Sequence, residues 1–209
     1  MQAGVDGPCR QVIAVTGGIG SGKSRVARWL AHACAVPLYD ADAEVRMLLT
    51  PQEAGWQRLR ARLSPDYFAD DGSLFKAKLR QAIFQDAVLR QAVEHDLHPL
   101  VLAQLQAKIR KGPCPCLVEV PLLYEVGWQG YFAGVLVVYA PVEVCCERVA
   151  LRDRISPDEA LAAIRVQMPI MEKIAQADYT VDNSGSWVET TCQLEKIKKL
   201  WPLLLGEKA

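Results

Sequence analysis

Gly17-Gly18-Ile19-Gly20-Ser21-Gly22-Lys23-Ser24 is a complete G-x-x-x-x-G-K-[ST] sequence. The apolar run Val12-Ile13-Ala14-Val15-Thr16 precedes it, and a helical pattern follows that sets Val26, Ala27, Leu30 and Ala31 on one face. Strand, glycine loop and helix in that order are the context in which this spacing builds a phosphate-binding loop. Its glycines open backbone shapes closed to other residues, so successive N–H groups turn inward on a polyphosphate. The helix N-terminus adds partial positive charge. Gly18, Ile19, Gly20, Ser21, Gly22, Lys23 and Ser24 are therefore the expected nucleotide-binding residues. Lys23 has the reach for the β- and γ-phosphates, and Ser24 offers a hydroxyl to Mg²⁺.

Further strands are expected at Val36-Pro37-Leu38-Tyr39, Cys116-Leu117-Val118-Glu119-Val120, Val135-Leu136-Val137-Val138-Tyr139-Ala140 and Tyr179-Thr180-Val181-Asp182. Near-continuous apolar strands separated by helical patterns predict an α/β fold with a five-stranded parallel sheet flanked by helices. About seventy residues between the second and third strands carry helical periodicity, in one stretch from Leu74 to Phe84 and another from Leu97 to Ile109. They are too many for a simple crossover. The expected organisation is a core in three parts (10–43 with the loop, 112–146, and 166–209 with a C-terminal helix), a helical unit at 44–111 and a charged segment at 147–165. Within that last segment, Ser156-Pro157-Asp158-Glu159 reads as a helix start.

The chain has 209 residues and zero formal net charge, which points away from electrostatic capture of nucleic acid or an anionic membrane. No apolar stretch reaches spanning length. Met1–Pro8 lacks a signal-peptide pattern and reads as a short disordered lead-in. The seven cysteines form no C-x-x-C pair, which favours reduced thiols in the cytoplasm. His32, His95 and His98 lack metal-ligand spacing.

Several polar residues fall at strand ends, where ligands of open parallel sheets bind. Asp40-Ala41-Asp42 follows the second strand, and a phosphoryl acceptor hydroxyl needs a positioned carboxylate. Asp40 reads equally as a helix N-cap. Glu119, near the end of the third strand, has the chemistry for a Mg²⁺ contact or for a structural partner. Arg148 and Arg152 stand one helical turn apart, a spacing that could set both on one polyphosphate or on a solvated face.

The loop, Asp40-Ala41-Asp42, His98-Pro99, Pro121-Leu122-Leu123-Tyr124-Glu125, Arg148 to Asp153, Gln167, Ala177-Asp178 and Asp182-Asn183 occur here in an order that resembles the dephospho-CoA kinases. The resemblance runs from about Gln11 to Asn183. It implies a P-loop kinase fold with a helical substrate domain and an arginine-bearing lid. It implies ATP and Mg²⁺ as cofactors, dephospho-CoA as the small-molecule partner, and transfer to the ribose 3′-hydroxyl. It further implies Asp42 as catalytic base, with Lys23 and Arg152 on the phosphates. Arg148 and Asn183 fall on the nucleotide side, Ser24 and Glu119 at the metal, and Asp42, Lys76, His98 and Leu122 at the acceptor. A cytoplasmic monomer or weak oligomer is expected, with neither nucleic acid nor membrane as partner. The chain departs from the family at Arg25, where Thr is usual, at Lys76, where Arg is common, and at Glu119, a position often apolar or Asp. A GTPase would need an N-K-x-D motif, and none occurs.

Overall fold

The computed structural model describes residues 9–204; the expected lead-in at Met1–Pro8 lies outside them. The chain divides into two compact units. One joins the chain up to Tyr39 with the chain from Pro113 onward, and the other is Asp40–Gly112.

The first unit is built on strands β1 (Cys9–Gly17), β2 (Leu38–Asp40), β3 (Cys116–Glu119), β4 (Phe132–Tyr139) and β5 (Tyr179–Asp182), in the order β2-β3-β1-β4-β5. The central strand β1 runs parallel to both β3 and β4, and β4 to β5. Ile13 stands opposite Leu117 on one side and Gly134 on the other. Val12 to Thr16 are almost wholly buried, which is why the run lacks polar alternation. The strand expected at Val36–Tyr39 lies further along. Pro37 has no N–H for a ladder, and its carbonyl accepts from Leu117 N–H.

Helix α1 (Lys23–Ala33) buries Val26, Ala27 and Leu30 on one sheet face. The C-terminal helix α9 (Trp187–Leu204) adds Leu194 and Ile197 to the same core. The charged segment 147–165 is not one element. It covers the second half of α6 (Val142–Asp153) and all of α7 (Pro157–Arg165). Arg154 closes α6 in the left-handed region at φ 57°. Ser156 and Glu159 then form a reciprocal capping box at the start of α7, with Pro157 at its first position as expected. A short helix, α8 (Ile170–Ala175), leads into β5.

The second unit is helical: α2 (Ala41–Leu48), α3 (Ala54–Arg62), α4 (Lys76–Gln85) and α5 (Ala87–Lys111), the last running through Pro99. Its core gathers Leu49, Leu59, Leu63, Phe68, Leu74, Leu79, Val93 and Leu97. Leu74 lies before α4 rather than in it, and pairs with Phe68 in an isolated antiparallel bridge. Glu44 is buried and bonds Lys108 Nζ at 2.6 Å, tying α2 to α5. No helix among the described residues is long and apolar enough to cross a membrane.

Candidate active site

The loop after β1 is pressed against its surroundings closely enough to require glycine. Gly22 caps α1 at φ 86°, and a Cβ there would meet Asn183 Nδ2 at 2.2 Å. At Gly20, φ is 80° and a Cβ would meet the Cys145 carbonyl at 2.6 Å. Three side chains clasp the loop from outside. Asn183 Nδ2 donates to the Ser21 carbonyl at 2.7 Å. Arg148 donates to the carbonyls of Gly20 at 3.4 Å and Asn183 at 2.9 Å. Gln167 Oε1 accepts from Ile19 N–H at 2.7 Å. Within the loop, Ser21 Oγ is buried without a hydrogen-bond partner. Such an orphan is costly in a closed core and suits a loop that receives a polar ligand.

Ser24 and Glu119, read separately from the sequence, meet here. Ser24 Oγ donates to Glu119 Oε1 at 2.5 Å, and Glu119 is buried. A hydroxyl and a carboxylate are the hard oxygen donors Mg²⁺ takes when phosphates and water fill its remaining positions. Among the described residues no group of three or more His, Cys, Asp or Glu side chains could hold a metal by itself. The donor set therefore fits a nucleotide-borne Mg²⁺ held by Ser24 and Glu119, which would neutralise charge on the phosphates.

The structure gives Arg148 and Arg152 separate partners within the protein. Arg148, half-buried, turns to backbone carbonyls of the loop and of Asn183, because those are the acceptors within its reach. Arg152 is largely exposed and closes a two-bond pair on its neighbour Asp153, at 2.7 and 2.8 Å. That pair raises its pKa further. Asn183, expected beside the nucleotide, has its amide committed within the protein. Nδ2 holds Ser21, and Oδ1 accepts from Thr190 Oγ1 at 2.9 Å.

The turn after β3 exposes Leu122. The residues beside it are tied down. The Pro121 carbonyl accepts from Thr16 Oγ1 at 3.3 Å and from Lys173 Nζ at 3.4 Å. Lys173 is completely buried and pairs with Glu125 at 2.7 Å; Glu125 also accepts from Met168 N–H at 3.0 Å. Nothing in the sequence marks Lys173, a lysine flanked by Glu172 in a six-residue helix. Glu125 and Gln167 belong to the quoted resemblance but carried no role. Burial, with a smaller contribution from Asp178, pushes the Tyr124 phenol up to about 12. Arg25, the residue out of family pattern, is exposed and stacks its guanidinium 3.8 Å over the Trp187 ring.

In the helical unit, Asp40 is the N-cap of α2. It accepts from Asp42 N–H at 2.8 Å and pairs with Arg46 at 3.0 Å. Asp42 stands exposed in the first turn of α2. Lys76 opens α4 and is exposed, and His98 is half-buried within α5, where burial lowers its pKa.

A parallel sheet with a Lys23–Ser24 phosphate loop after its central strand, a carboxylate beside that loop and arginines on the helix after β4 defines the P-loop kinase class. Kinases of this fold use ATP. The sequence pattern of the family described as dephospho-CoA kinase matches residues 11–189. A dephospho-CoA kinase of Carboxydothermus hydrogenoformans is 35% identical over 194 residues, covering 91% of this chain and 94% of that one. The solved structure of TT1252 from Thermus thermophilus superposes with a TM-score of 0.77 at 34% identity, over 92% of this chain and 96% of that one. Dephospho-CoA kinase from Campylobacter jejuni shares the fold at a TM-score of 0.65 and 22% identity, over 95% and 99% of the two chains. The chain belongs to the dephospho-CoA kinase family.

Proposed function

We propose that this protein transfers the γ-phosphoryl group of ATP to the ribose 3′-hydroxyl of dephospho-CoA, giving CoA and ADP, the last step of coenzyme A synthesis. The match to the family over residues 11–189, with the phosphate loop intact inside it, carries the reading. Gly18 to Ser24 cradle the polyphosphate, and Lys23 meets the charge that moves with the transferring group. Ser24 and Glu119 would hold Mg²⁺, which would supply positive charge against the β- and γ-phosphates. Asp42 orients the acceptor hydroxyl in line with the γ-phosphorus and takes its proton.

Arg152 leaves Asp153 to meet the phosphates when the α6–α7 lid closes. Arg148 and Asn183 keep the loop in shape. Lys76, His98 and Leu122 contact the acceptor, with Lys76 supplying charge without the bidentate fork of the usual Arg. The protein works in the cytoplasm as a monomer or weak oligomer without nucleic acid; no disulfide forms among the described cysteines. The test is ADP release from ATP and Mg²⁺ with dephospho-CoA, with a panel of other hydroxyl acceptors, and with none. Strong stimulation by dephospho-CoA alone is expected. Stimulation by a different acceptor, with none by dephospho-CoA, overturns the assignment.

A further inference from the structure

The chain between α7 and α8, residues 166–169, is gripped from two sides at adjacent positions. From the sheet side, Glu125 accepts from Met168 N–H at 3.0 Å, and Glu125 is itself held by the buried Lys173 at 2.7 Å. From the loop side, Gln167 Oε1 accepts from Ile19 N–H at 2.7 Å, 148 positions away in sequence. A cavity of about 560 Å³ lies alongside, with Gly18 and Ile19 of the loop, Leu161 and Ile164 of α7, and Met168 and Ile170 among its lining. Helix α7 is thus not packed tightly on the loop. The turn that ends α7 nevertheless bonds a backbone donor of the loop directly.

We propose that residues 166–169 are the hinge of the lid and that Gln167 is a positioning residue. It sets the first half of the phosphate loop according to where the lid stands. Glu125, its carboxylate fixed by Lys173, anchors the hinge so that motion of α6–α7 pivots there. The Gln167–Ile19 bond passes that motion to the loop. This rests on the reading of α6–α7 as a lid. Ground-state binding of ATP has the other loop N–H groups and Lys23 to rely on, so loss of the Gln167 bond should fall on turnover. Misplacement of reacting groups by a fraction of an ångström is costly for rate and cheap for binding.

Gln167→Met keeps the length of the side chain and removes the acceptor. Gln167→Glu keeps an acceptor oxygen and adds a charge beside the phosphates. Hydrogen exchange of residues 157–165 with and without ATP and Mg²⁺, Kd for ATP, kcat and Tm are measured for both and for the native protein. Gln167→Met should lower kcat about 10-fold or more, with Kd for ATP changed less than about 3-fold and Tm retained. The slowing of exchange at 157–165 on adding ATP should shrink. Gln167→Glu should recover most of kcat while raising KM for ATP. Native kcat in Gln167→Met, or equal losses in kcat and ATP affinity with unchanged exchange at 157–165, overturns the positioning role. If the native protein phosphorylates dephospho-CoA but ATP leaves exchange at 157–165 unaltered, the lid reading falls and the hinge with it.

Discussion

The surroundings of the phosphate loop and the helical unit Asp40–Gly112 present their candidate residues in opposite ways. Around the loop, the groups that matter are backbone groups, and side chains serve to hold them. Asn183, Arg148 and Gln167 each spend their polar ends on a loop carbonyl or N–H. Gly20 and Gly22 adopt positive φ with no room for a Cβ. In the helical unit the candidates are side chains standing on ordinary helices. Asp42 and Lys76 are exposed, and the unit's partly buried ionic contacts, Glu44 with Lys108 and Asp96 with Arg62, tie helices together. Chemistry carried by backbone shape leaves a local signature in the sequence. Chemistry carried by a few side chains on a helical scaffold leaves almost none, because the scaffold fixes only which positions are apolar.

The contrast predicts a clean split between acceptor chemistry and nucleotide binding. Asp42→Asn should lower transfer by about 10²- to 10⁴-fold, the range of a positioned base, with ATP affinity intact. Both Asp42→Asn and Asp40→Asn are to be followed across a Mg²⁺ titration. Rescue of Asp42→Asn by excess Mg²⁺ would make it a metal-site residue. Asp40→Asn should cost much less, because an Asn side-chain oxygen can still cap α2 and only the exposed pair with Arg46 is lost. Lys23→Ala should lower transfer by about 10²-fold, the scale of losing one electrostatic contact to the transferring group. Unlike Asp42→Asn, it should also weaken ATP binding. If the two variants lose ATP affinity alike, the division of labour between the regions is wrong.

The two arginines of α6 sharpen the same contrast inside one helix. Arg148→Ala removes bonds to two carbonyls that hold the loop. It should cost about 1.5–3 kcal/mol of stability, the range for hydrogen bonds involving a charged group, and weaken ATP binding in step. Arg152→Ala should leave thermal stability near native, since its partner is an exposed neighbour. On the proposed reading, in which a closing lid brings it to the phosphates, its effect should fall on kcat. Calorimetry with ATP titration separates the two. Equal losses of ATP affinity in both would return them to a shared ground-state role.

Much of the first unit was legible in the sequence for a physical reason. Parallel strands buried on both faces read as apolar runs, and the loop needs glycine at fixed offsets. The order of the sheet was not legible, because no local pattern says that β1 lies between β3 and β4. The start of α7 was readable from Ser156-Pro157 because capping is local. Lys173 could not be found: it stands between Glu172 and Ile174 with no local sign of burial, and only the tertiary partner Glu125 makes its burial tolerable. The spacing of Arg148 and Arg152 did not reveal their separate partners, since long side chains choose acceptors the sequence does not show. In the helical unit, apolar periodicity picked out Leu74, Leu79 and Leu97 of the core but not Leu49, Leu59, Leu63, Phe68 or Val93, and the resemblance alone singled out Lys76 and His98.

The smallest expected effect concerns His98, because it tests whether that residue is held neutral. Burial in α5 places its pKa below the ordinary 6.5, with Glu94 opposing only in part. In the unfolded chain the imidazole takes a proton as pH falls through about 6.5, while the folded protein resists that protonation until lower pH. The unfolded state then binds more protons, so stability falls as pH drops. The contribution is fully present above pH 6.5 and is lost as pH descends through the folded pKa. His98→Gln keeps a hydrogen-bonding side chain and removes the titration. Its Tm should therefore decline less steeply than the native protein's between pH 7.5 and 5.5, by less than about 2 °C per pH unit for a chain of this size. Parallel slopes would mean that His98 titrates normally and has the solvent access of a surface group. A native slope of the opposite sign would mean that an acidic partner stabilises the imidazolium in the folded protein.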